Sequence, residues 1–433
     1  MALTRRGTIG AAAGLIGSGL TGLARPALAQ GRPFAGQEVK LLTVRATQFL
    51  AQFKRLPEFT ERTGIRVTTS EVPFPSMREK LTAEMVGNSA DFDLMTVMDA
   101  WVPSLTNMLE PITPRLAAKG IATDRYPRPF MNAGTVEGQV YGLPVRASVQ
   151  VLYYRKDLFE KHGLRAPATW DEAAAAARTL QERESIAGIA MYYGRNNGQN
   201  LMPWYNFLWT NGAEFLSPRL EPQFNSEAGL AATQRYLDLM QKDRVTPTGS
   251  ASFDEQSAAA SFLQGNSAMV PVWNWVMVRF TEPSAAIKLD QVGFAPLPTV
   301  RPGARPTTFT NTWILGMNAR SARKDAAMEY VAWVTRPELE REILLDAGEK
   351  EVITTQWSNL RDPEVNARWS GMQMTGARAL EAPNVIPQFA QLPQVIDVVE
   401  TAMNNAATGS ATVADAMNGA ARQVGRITSG RRR

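Results

Sequence analysis

Hydrophobic positions in the first part of the chain alternate between short apolar runs and stretches with helical spacing. The apolar runs predict buried strands at Val39–Arg45, Ile65–Ser70 and Phe92–Val97. The stretches between them, Gln48–Arg62 and Ser76–Gly87, are predicted helices, and Pro57 is expected to break or restart the first of these. Because the strands alternate with helices, the pattern predicts parallel pairing and an open α/β sheet.

A second α/β series begins near Gly142. Thr169 and Glu172 form a capping-box pattern before an alanine-rich helix. Further strands are predicted at Val149–Tyr154, Met269–Val272, Gln291–Phe294 and Trp313–Met317. Further helices are predicted at Lys156–His162, Leu201–Asn211, Ser226–Lys242, Phe253–Gln264, Ala322–Thr335 and Glu338–Asp346. The proline-rich stretch up to Pro306 is expected to be a linker, and the chain after Ser358 is predicted to be mostly helical.

The N-terminal segment has the pattern of an export signal. Arg5 and Arg6 precede a Gly- and Ala-rich apolar run, and small residues for cleavage follow at Ala27–Ala29. Adjacent arginines are typical of a twin-arginine signal, with the general secretory route as the alternative. The run is shorter than the roughly 20 residues that span a bilayer. We therefore expect residues 1–29 to be a signal peptide, and the mature protein to be periplasmic without stable membrane insertion.

The amino-acid composition excludes several classes of function. The formal net charge is +5, but six arginines lie near the two ends of the chain, so the body is nearly neutral and nucleic acid is not an expected partner. Cysteine is absent and His162 is the single histidine, which excludes thiolate sites and sites that need several imidazoles. No phosphate-binding loop motif is present. We expect no metal, no cofactor and no catalytic residues.

Tryptophan is the candidate binding chemistry. The chain has ten, several of which stand beside turn residues and amides. A flat indole face suits the C–H face of a sugar ring, while neighbouring amides, carboxylates and arginines bind hydroxyl groups. Trp273 and Trp275 flank Asn274 at the end of a predicted strand, and which of the two indoles faces a ligand stays open.

Several segments, in order, resemble the extracellular solute-binding proteins of ABC importers, in the maltose-binding-protein-like, carbohydrate-binding group. The most specific are Tyr141–Pro144, Val151–Phe159 and Pro167–Glu172. Also similar are Leu56–Phe59 with Thr63–Ile65, Phe262–Met269 and Ala295–Pro298. The likeness runs from Val39 to about Val424. One departure is Trp273, which stands where family members often have a glycine.

The resemblance implies a two-lobe periplasmic-binding-protein fold, in which each lobe is an α/β sheet sandwiched by helices and hinge crossings join the lobes. By this likeness the crossings fall near Gly142–Pro144, Pro296–Pro302 and Ile353–Ser358. The N-terminal lobe would be residues 30–143 with 299–353, and the C-terminal lobe 144–298 with 354–433.

Ligand-binding residues are expected at the carboxyl ends of the strands, where open α/β sheets bind ligands. The candidates are Arg45, Gln48, Asp99, Trp101, Arg146, Trp204, Trp273, Asn274, Trp275, Asn311, Trp313 and Trp357. The family likeness favours Trp275 as the stacking residue. Arg45 and Arg146 raise the alternative of an anionic ligand, because guanidinium groups bind carboxylates and phosphates bidentately. Neutral hydroxyl recognition or a structural ion pair is the favoured interpretation of these arginines.

The implied function is capture without chemistry: a monomeric periplasmic receptor closes on a sugar or polyol and delivers it to the membrane permease of an ABC transporter. The alternatives are an exported carbohydrate-active enzyme, a glycosidase or lyase, and a receptor for a non-sugar solute such as a polyamine. A polyamine site would need several carboxylates, and Asp99 is the one obvious candidate.

Overall fold

The computed structural model describes residues 32–382 and 384–429. The predicted signal peptide lies outside the described residues. The strands are β1 (Glu38–Val44), β2 (Arg66–Val72), β3 (Leu94–Met98), β4 (Thr135–Val136), β5 (Gln139–Val140), β6 (Gly142–Arg155), β7 (Ala187–Ile189), β8 (Ser267–Trp273), β9 (Val292–Ala295) and β10 (Thr310–Met317).

Most of the remaining chain is helical. Helices α1 to α9 are Thr47–Phe53, Leu56–Thr63, Phe74–Val86, Val102–Leu105, Thr113–Ala118, Arg128–Ala133, Lys156–Lys161, Trp170–Glu184 and Leu201–Thr210. Helices α10 to α18 are Glu227–Gln241, Glu255–Leu263, Lys324–Val334, Pro337–Leu345, Trp357–Leu360, Pro363–Arg368, Met372–Leu380, Leu392–Ala407 and Val413–Ser429. Within the described residues, no helix is both long enough and apolar enough to cross a bilayer.

The first sheet has the strand order β2-β1-β3-β10-β6. β1, β2 and β3 pair in parallel, as their alternation with helices predicts. β10 runs antiparallel to both of its neighbours. Pro57 lies in the first turn of α2, so it restarts the helix rather than continuing α1, and Gly64 ends α2 with φ of 73°. We call the part of the molecule built on this sheet the first lobe.

The long strand β6 belongs to two sheets. Its first part pairs with β10 as far as Val149, and from Gln150 it pairs with β8. Further along, Leu152–Arg155 pair with β9 on the other side, while β8 pairs with β7. The sequence predicted a strand at Val149–Tyr154 only, whereas β6 begins at Gly142 and includes the expected crossing near Gly142–Pro144. We call the part built on this second sheet the second lobe.

Four hydrophobic cores follow the same division. Two pack around the first sheet, with Leu41 and Val331 in one and Val97 in the other. Two pack around the second sheet, with Trp204 in one and Val272 in the other. The Thr169 side chain accepts from the backbone N–H of Glu172 at 3.2 Å, so the predicted capping box begins α8. Each lobe therefore has its own buried interior.

Candidate functional site

One edge of the first sheet collects the ends of four strands. Because β1, β2 and β3 are parallel, their carboxyl ends meet at this edge, where Arg45, Phe74 and Asp99 follow. β10 is antiparallel, so its amino end lies at the same edge, and Trp313 is the register partner of Met98. The sheet topology thus brings together residues that are far apart in the sequence.

Three aromatic rings pack at this edge. Trp101 and Trp313 meet edge to face with ring centroids 5.5 Å apart, and both are buried. Phe74 stacks on Trp101 at 6.0 Å and remains 51% exposed. The two predicted tryptophans therefore lie beneath Phe74, and this phenylalanine presents its ring to solvent. Sequence reasoning missed Phe74, although it stands two positions after the end of β2.

The second lobe presents a row of stacked rings. Tyr205 and Trp209 lie four positions apart on α9, on one face of the helix, with centroids 5.5 Å apart. Tyr205 also stacks on Phe309 at 5.2 Å, and Trp273 contacts Phe309 at 6.0 Å. These rings form an aromatic wall that the sequence did not predict, apart from Trp273.

Trp204, one position before Tyr205, is turned into the core. It is fully buried, and its Nε1 donates to Thr233 Oγ1 at 2.9 Å. Trp204 packs against Phe215 and Phe224. The structure therefore does not bring Trp204 to the binding surface, and its neighbours on the same helix take that position.

The cleft between the lobes is lined from both sides. The first lobe contributes Asp99, Ala100, Pro129, Asn132 and Ala133. The second lobe contributes Tyr205, Trp209, Asn384, Val385, Ile386, Gln388, Leu392 and Ile396, and Thr308, Phe309 and Thr310 line the cleft where the chain enters β10. The narrow interior has a volume of about 50 Å³, and the space is about 520 Å³ with the open mouth included. The interior has room for a few water molecules, and the rest of the space opens to solvent.

Three residues of the cleft lining each have a buried polar atom that finds no hydrogen-bond partner among the described residues. These atoms are Tyr205 Oη, Trp209 Nε1 and Gln388 Oε1. A buried polar group without a partner costs roughly 1–3 kcal/mol. The indole N–H is a donor, the amide oxygen is an acceptor, and the phenol can be either.

Asp99 is the charged group of the cleft. Its carboxylate accepts from the backbone N–H of Ala100 at 2.7 Å and of Thr312 at 2.9 Å. Burial raises the pKa of Asp99 to about 6, against the lowering effect of these two hydrogen bonds. At neutral pH the carboxylate is therefore ionised in most molecules and is held in place as a hydrogen-bond acceptor.

Other predicted residues lie near the cleft without lining it. Asn311 Nδ2 lies 3.5 Å from Asp99 Oδ1, at the limit of a hydrogen bond. Asn274 is buried, and its side-chain oxygen accepts from Val149 N at 3.3 Å, so it fixes the end of β8 to β6. Arg45 is exposed at the sheet edge. Gln48 is the second residue of α1, and its side chain is outside the described part of the structure.

Trp275 lines a different cavity from the cleft. This groove, of about 570 Å³, runs beside α11 and includes Glu255 and Arg279. Trp357 is half-buried, and the guanidinium of Arg361 lies 4.4 Å from its ring centroid. The groove and the cleft share no lining residue, so the structure does not bring Trp275 to the cleft. Its expected role in stacking on a ligand stays a prediction.

Arg146 is also absent from the cleft lining. Its Nε is buried and has no hydrogen-bond partner in the part of the chain that the structure describes. Burial lowers the pKa of Arg146, whereas the nearby carboxylate of Glu351 raises it. Within the described lining of the cleft there is no arginine, lysine or histidine.

Comparison with known proteins identifies the family of the chain. Residues 43–340 match the family described as bacterial extracellular solute-binding protein. The chain belongs to this family. The resemblance and the two-lobe fold expected from the sequence are therefore confirmed, and the family consists of binding proteins.

The names of two relatives of this solute-binding protein refer to different ligands. A probable amino-acid ABC transporter periplasmic-binding protein of Sinorhizobium fredii is 28% identical over 345 residues, 77% of this chain and 76% of that protein. The mannitol-binding protein of Pseudomonas aeruginosa is 28% identical over 325 residues, 72% of this chain and 71% of that protein.

Solved structures share the fold of this solute-binding protein. Maltose-bound MalE3 of T. maritima has a TM-score of 0.76 at 24% identity, over 90% of this chain and 99% of that chain. A solute-binding protein of Agrobacterium vitis with bound D-mannitol has a TM-score of 0.71 at 24% identity, over 91% of this chain and 99% of that chain. At this level of identity the likeness shows the fold alone.

Proposed function

We propose that this protein is a periplasmic receptor that captures a small neutral sugar or polyol in the cleft and delivers it to the permease of an ABC transporter. One observation carries the proposal: among the described residues, Tyr205, Trp209 and Gln388 of the cleft lining each have a buried polar atom without a hydrogen-bond partner, beside an aromatic wall. Hydroxyl groups supply both donors and acceptors to such groups, and C–H faces pack on the rings.

Charge supports a neutral ligand over an amino acid or an acidic sugar. An amino acid carries an ammonium and a carboxylate, which call for a charged partner of each sign. Asp99 supplies a negative partner, but the described lining has no basic side chain for a carboxylate or phosphate. The names of two relatives, the mannitol-binding protein and an erythritol/L-threitol-binding protein of Mycolicibacterium smegmatis, point in the same direction.

The proposed ligand set combines predicted and newly found residues. Asp99 was predicted from the sequence, as was Trp273, which supports Phe309 from behind. The structure adds Asn132, Tyr205, Trp209, Phe309 and Gln388. We also propose that the protein acts as a monomer, and that its lobes comprise residues 30–143 with 299–353 and 144–298 with 354–433.

A melting screen of the mature protein tests the ligand class. We expect neutral polyols and sugars to raise the melting temperature, because a ligand at 100 times its Kd stabilises by about 2.7 kcal/mol. Amino acids, polyamines and acidic sugars serve as the comparison sets. Stabilisation by one of these sets alone would overturn the proposed ligand class. Recovery of a chemically altered sugar after incubation would instead indicate an enzyme.

Export is proposed from the N-terminal pattern alone. The mature chain should begin at Gln30 and be exported by the twin-arginine route. It should carry no cysteine-linked lipid, because the chain has no cysteine. N-terminal sequencing of protein recovered from the periplasm tests this. Recovery of a chain that still starts at Met1 in the membrane fraction would contradict it.

A further inference from the structure

The groove beside α11 is a second candidate binding site, separate from the cleft. One wall is α11, and the other is the 3₁₀ helix Asn274–Thr281 with the segment that follows it. Two neighbouring stripes of α11 face the groove, each with a spacing of four residues: Glu255, Ala259 and Leu263, and Gln256, Ala260 and Gln264. The volume of about 570 Å³ lies within the range of roughly 300–1,000 Å³ that is usual for small-molecule sites.

Apolar side chains and one indole line much of the groove. Trp275 and Val276 lie on the 3₁₀ helix, and Ala285 and Ala286 follow it. Trp275 is half-buried, so part of its ring is open to the groove. A surface of this kind takes the hydrocarbon or aromatic body of a ligand.

A buried carboxyl group lies among these side chains. Glu255 is the first residue of α11 and is 7% exposed, although it lines the groove. Burial raises the pKa of this carboxyl to about 7; a hydrogen bond from the Trp273 side chain lowers it, and Asp254 raises it. The groups that act on Glu255 therefore include no cation. An ionised carboxylate that is buried without a cation is costly, so a ligand that brings a positive charge would be stabilised beside it.

The other charged groups at the groove are already occupied. Arg279 is the one cation in the described lining, and it pairs with Glu282 at 3.2 Å. Beyond the lining, Asp254 caps the N-terminus of α11, and the Lys288 ammonium donates to the backbone carbonyl of Pro283 at 2.9 Å. The described lining therefore has an excess of negative charge when its buried carboxyl is ionised.

We propose that the groove beside α11 binds an amphipathic organic amine, whose ammonium group bonds the Glu255 carboxylate and whose apolar body lies against Trp275 and Ala260. The indole face attracts a neighbouring cation, so the ring also favours an amine over a neutral compound of the same shape. An acid of that shape would meet a like charge. The groove and the cleft share no lining residue, so this site does not depend on the solute that the cleft takes.

Calorimetric titration with three probes of one shape tests the ligand class. Phenethylamine, 2-phenylethanol and phenylacetate have the same ring and differ in the polar group. At pH 8 we expect phenethylamine to bind, and the alcohol and the acid to bind at least tenfold more weakly, equivalent to about 1.4 kcal/mol. Absence of phenethylamine binding at millimolar concentration, or equal affinity for the alcohol, would overturn the proposal.

Amine binding should become tighter as the pH rises from 6 to 8. A primary amine stays protonated over this range, as lysine does with its pKa of about 10.4. Glu255, with a pKa of about 7, goes from mostly neutral to mostly ionised. The affinity should therefore rise about tenfold. Folded Glu255→Gln should bind phenethylamine weakly at both pH values, and a pH dependence that persists in this variant contradicts the proposal.

A matched control separates the groove from the cleft. Asp99→Asn removes the charged group of the cleft, which also lies near aromatic rings, and it should keep the wild-type affinity for phenethylamine. Loss of amine binding in Asp99→Asn would place the amine in the cleft and overturn the proposal. Arg279→Gln, at an exposed position, should tighten binding because it removes a like charge. If Glu255→Gln does not fold, an unchanged affinity in Trp275→Ala overturns the proposal.

Discussion

The side-chain amide of Asn132 donates a hydrogen bond to the backbone carbonyl of Ile386, 3.3 Å away, and this bond joins the two sides of the cleft. Asn132 lies on α6, which packs on β10 and β6, whereas Ile386 packs in a second-lobe core. Asn132→Ala should speed ligand dissociation by about fivefold, because one net hydrogen bond contributes about 1 kcal/mol to the closed form. Stopped-flow release of the polyol selected by the melting screen measures this, and an unchanged rate would count against lobe contact through this residue.

The two tryptophans of α9 should respond to truncation in opposite ways. Trp209→Ala removes a ring from the cleft wall, so affinity should fall by roughly 30-fold, equivalent to about 2 kcal/mol. Trp204→Ala empties a core position instead and should lower the free energy of unfolding by about 3–5 kcal/mol. Calorimetric titration and chemical denaturation of both variants separate the effects. Equal losses of affinity in the two folded variants would contradict the assignment.

Trp273 and Trp275 form a second matched pair. Trp273 is buried beside Phe309, whereas Trp275 is half-buried in the groove beside α11. Trp273→Ala should lower both the melting temperature and the ligand affinity, the latter by about tenfold, or 1.4 kcal/mol, because Phe309 loses its support. Trp275→Ala should change the melting temperature little. If Trp275→Ala alone abolishes binding, the ligand extends into the groove and the family-based expectation is correct.

Ligand affinity should depend on pH through Asp99. Burial raises the pKa of its carboxyl to about 6, so acidification below pH 6 protonates it and removes an acceptor for ligand hydroxyl groups. We expect Kd to rise about tenfold from pH 6.5 to pH 5, and Asp99→Asn to bind weakly with no such dependence. Calorimetry across this range tests the prediction; a parallel rise in the variant would assign the effect to another group.

Above pH 5, the free energy of unfolding should fall as the pH rises, which is the opposite of the trend in most proteins. Burial raises the pKa of Glu255 and of Glu351 to about 7, so their neutral forms stabilise the fold at low pH, and this contribution is lost as the pH rises toward 7. The melting temperature should therefore rise as the pH falls from 8 to 5. Glu255→Gln should flatten this trend and stabilise the protein at pH 8 by about 3 kcal/mol at most. A lower stability of this variant at pH 8 would falsify the assignment.

The order of strands and helices was predictable from the sequence because it depends on local patterns. Thr169, Pro57 and Gly64 each act on the backbone next to them, and the structure has the cap, the restart and the helix end they predict. β6 was predicted too short, because hydrogen bonds to β10, which is distant in sequence, extend Gly142 and Pro144 into a strand. Pairing of this kind has no local signal.

The candidate site was harder to predict than the fold. Asp99 could be found because it follows a strand end. Tyr205 and Trp209 could not be separated from Trp204, since α9 is apolar all round and the facing side depends on its packing. Gln388 lies in an irregular segment without periodicity. Three-dimensional placement alone distinguishes these residues from core residues.

The position of β10 between β3 and β6 has a consequence for the order of folding during synthesis. Strands β1, β2 and β3 leave the ribosome early, whereas β10, which joins β3 to β6 in the first sheet, ends only at Met317. Until then, β3 and β6 have open edges, and their contacts with β10 span a long stretch of sequence, which slows folding. A nascent chain that ends before Thr310 should therefore remain sensitive to protease and dependent on chaperones, and release of the full chain should precede acquisition of resistance.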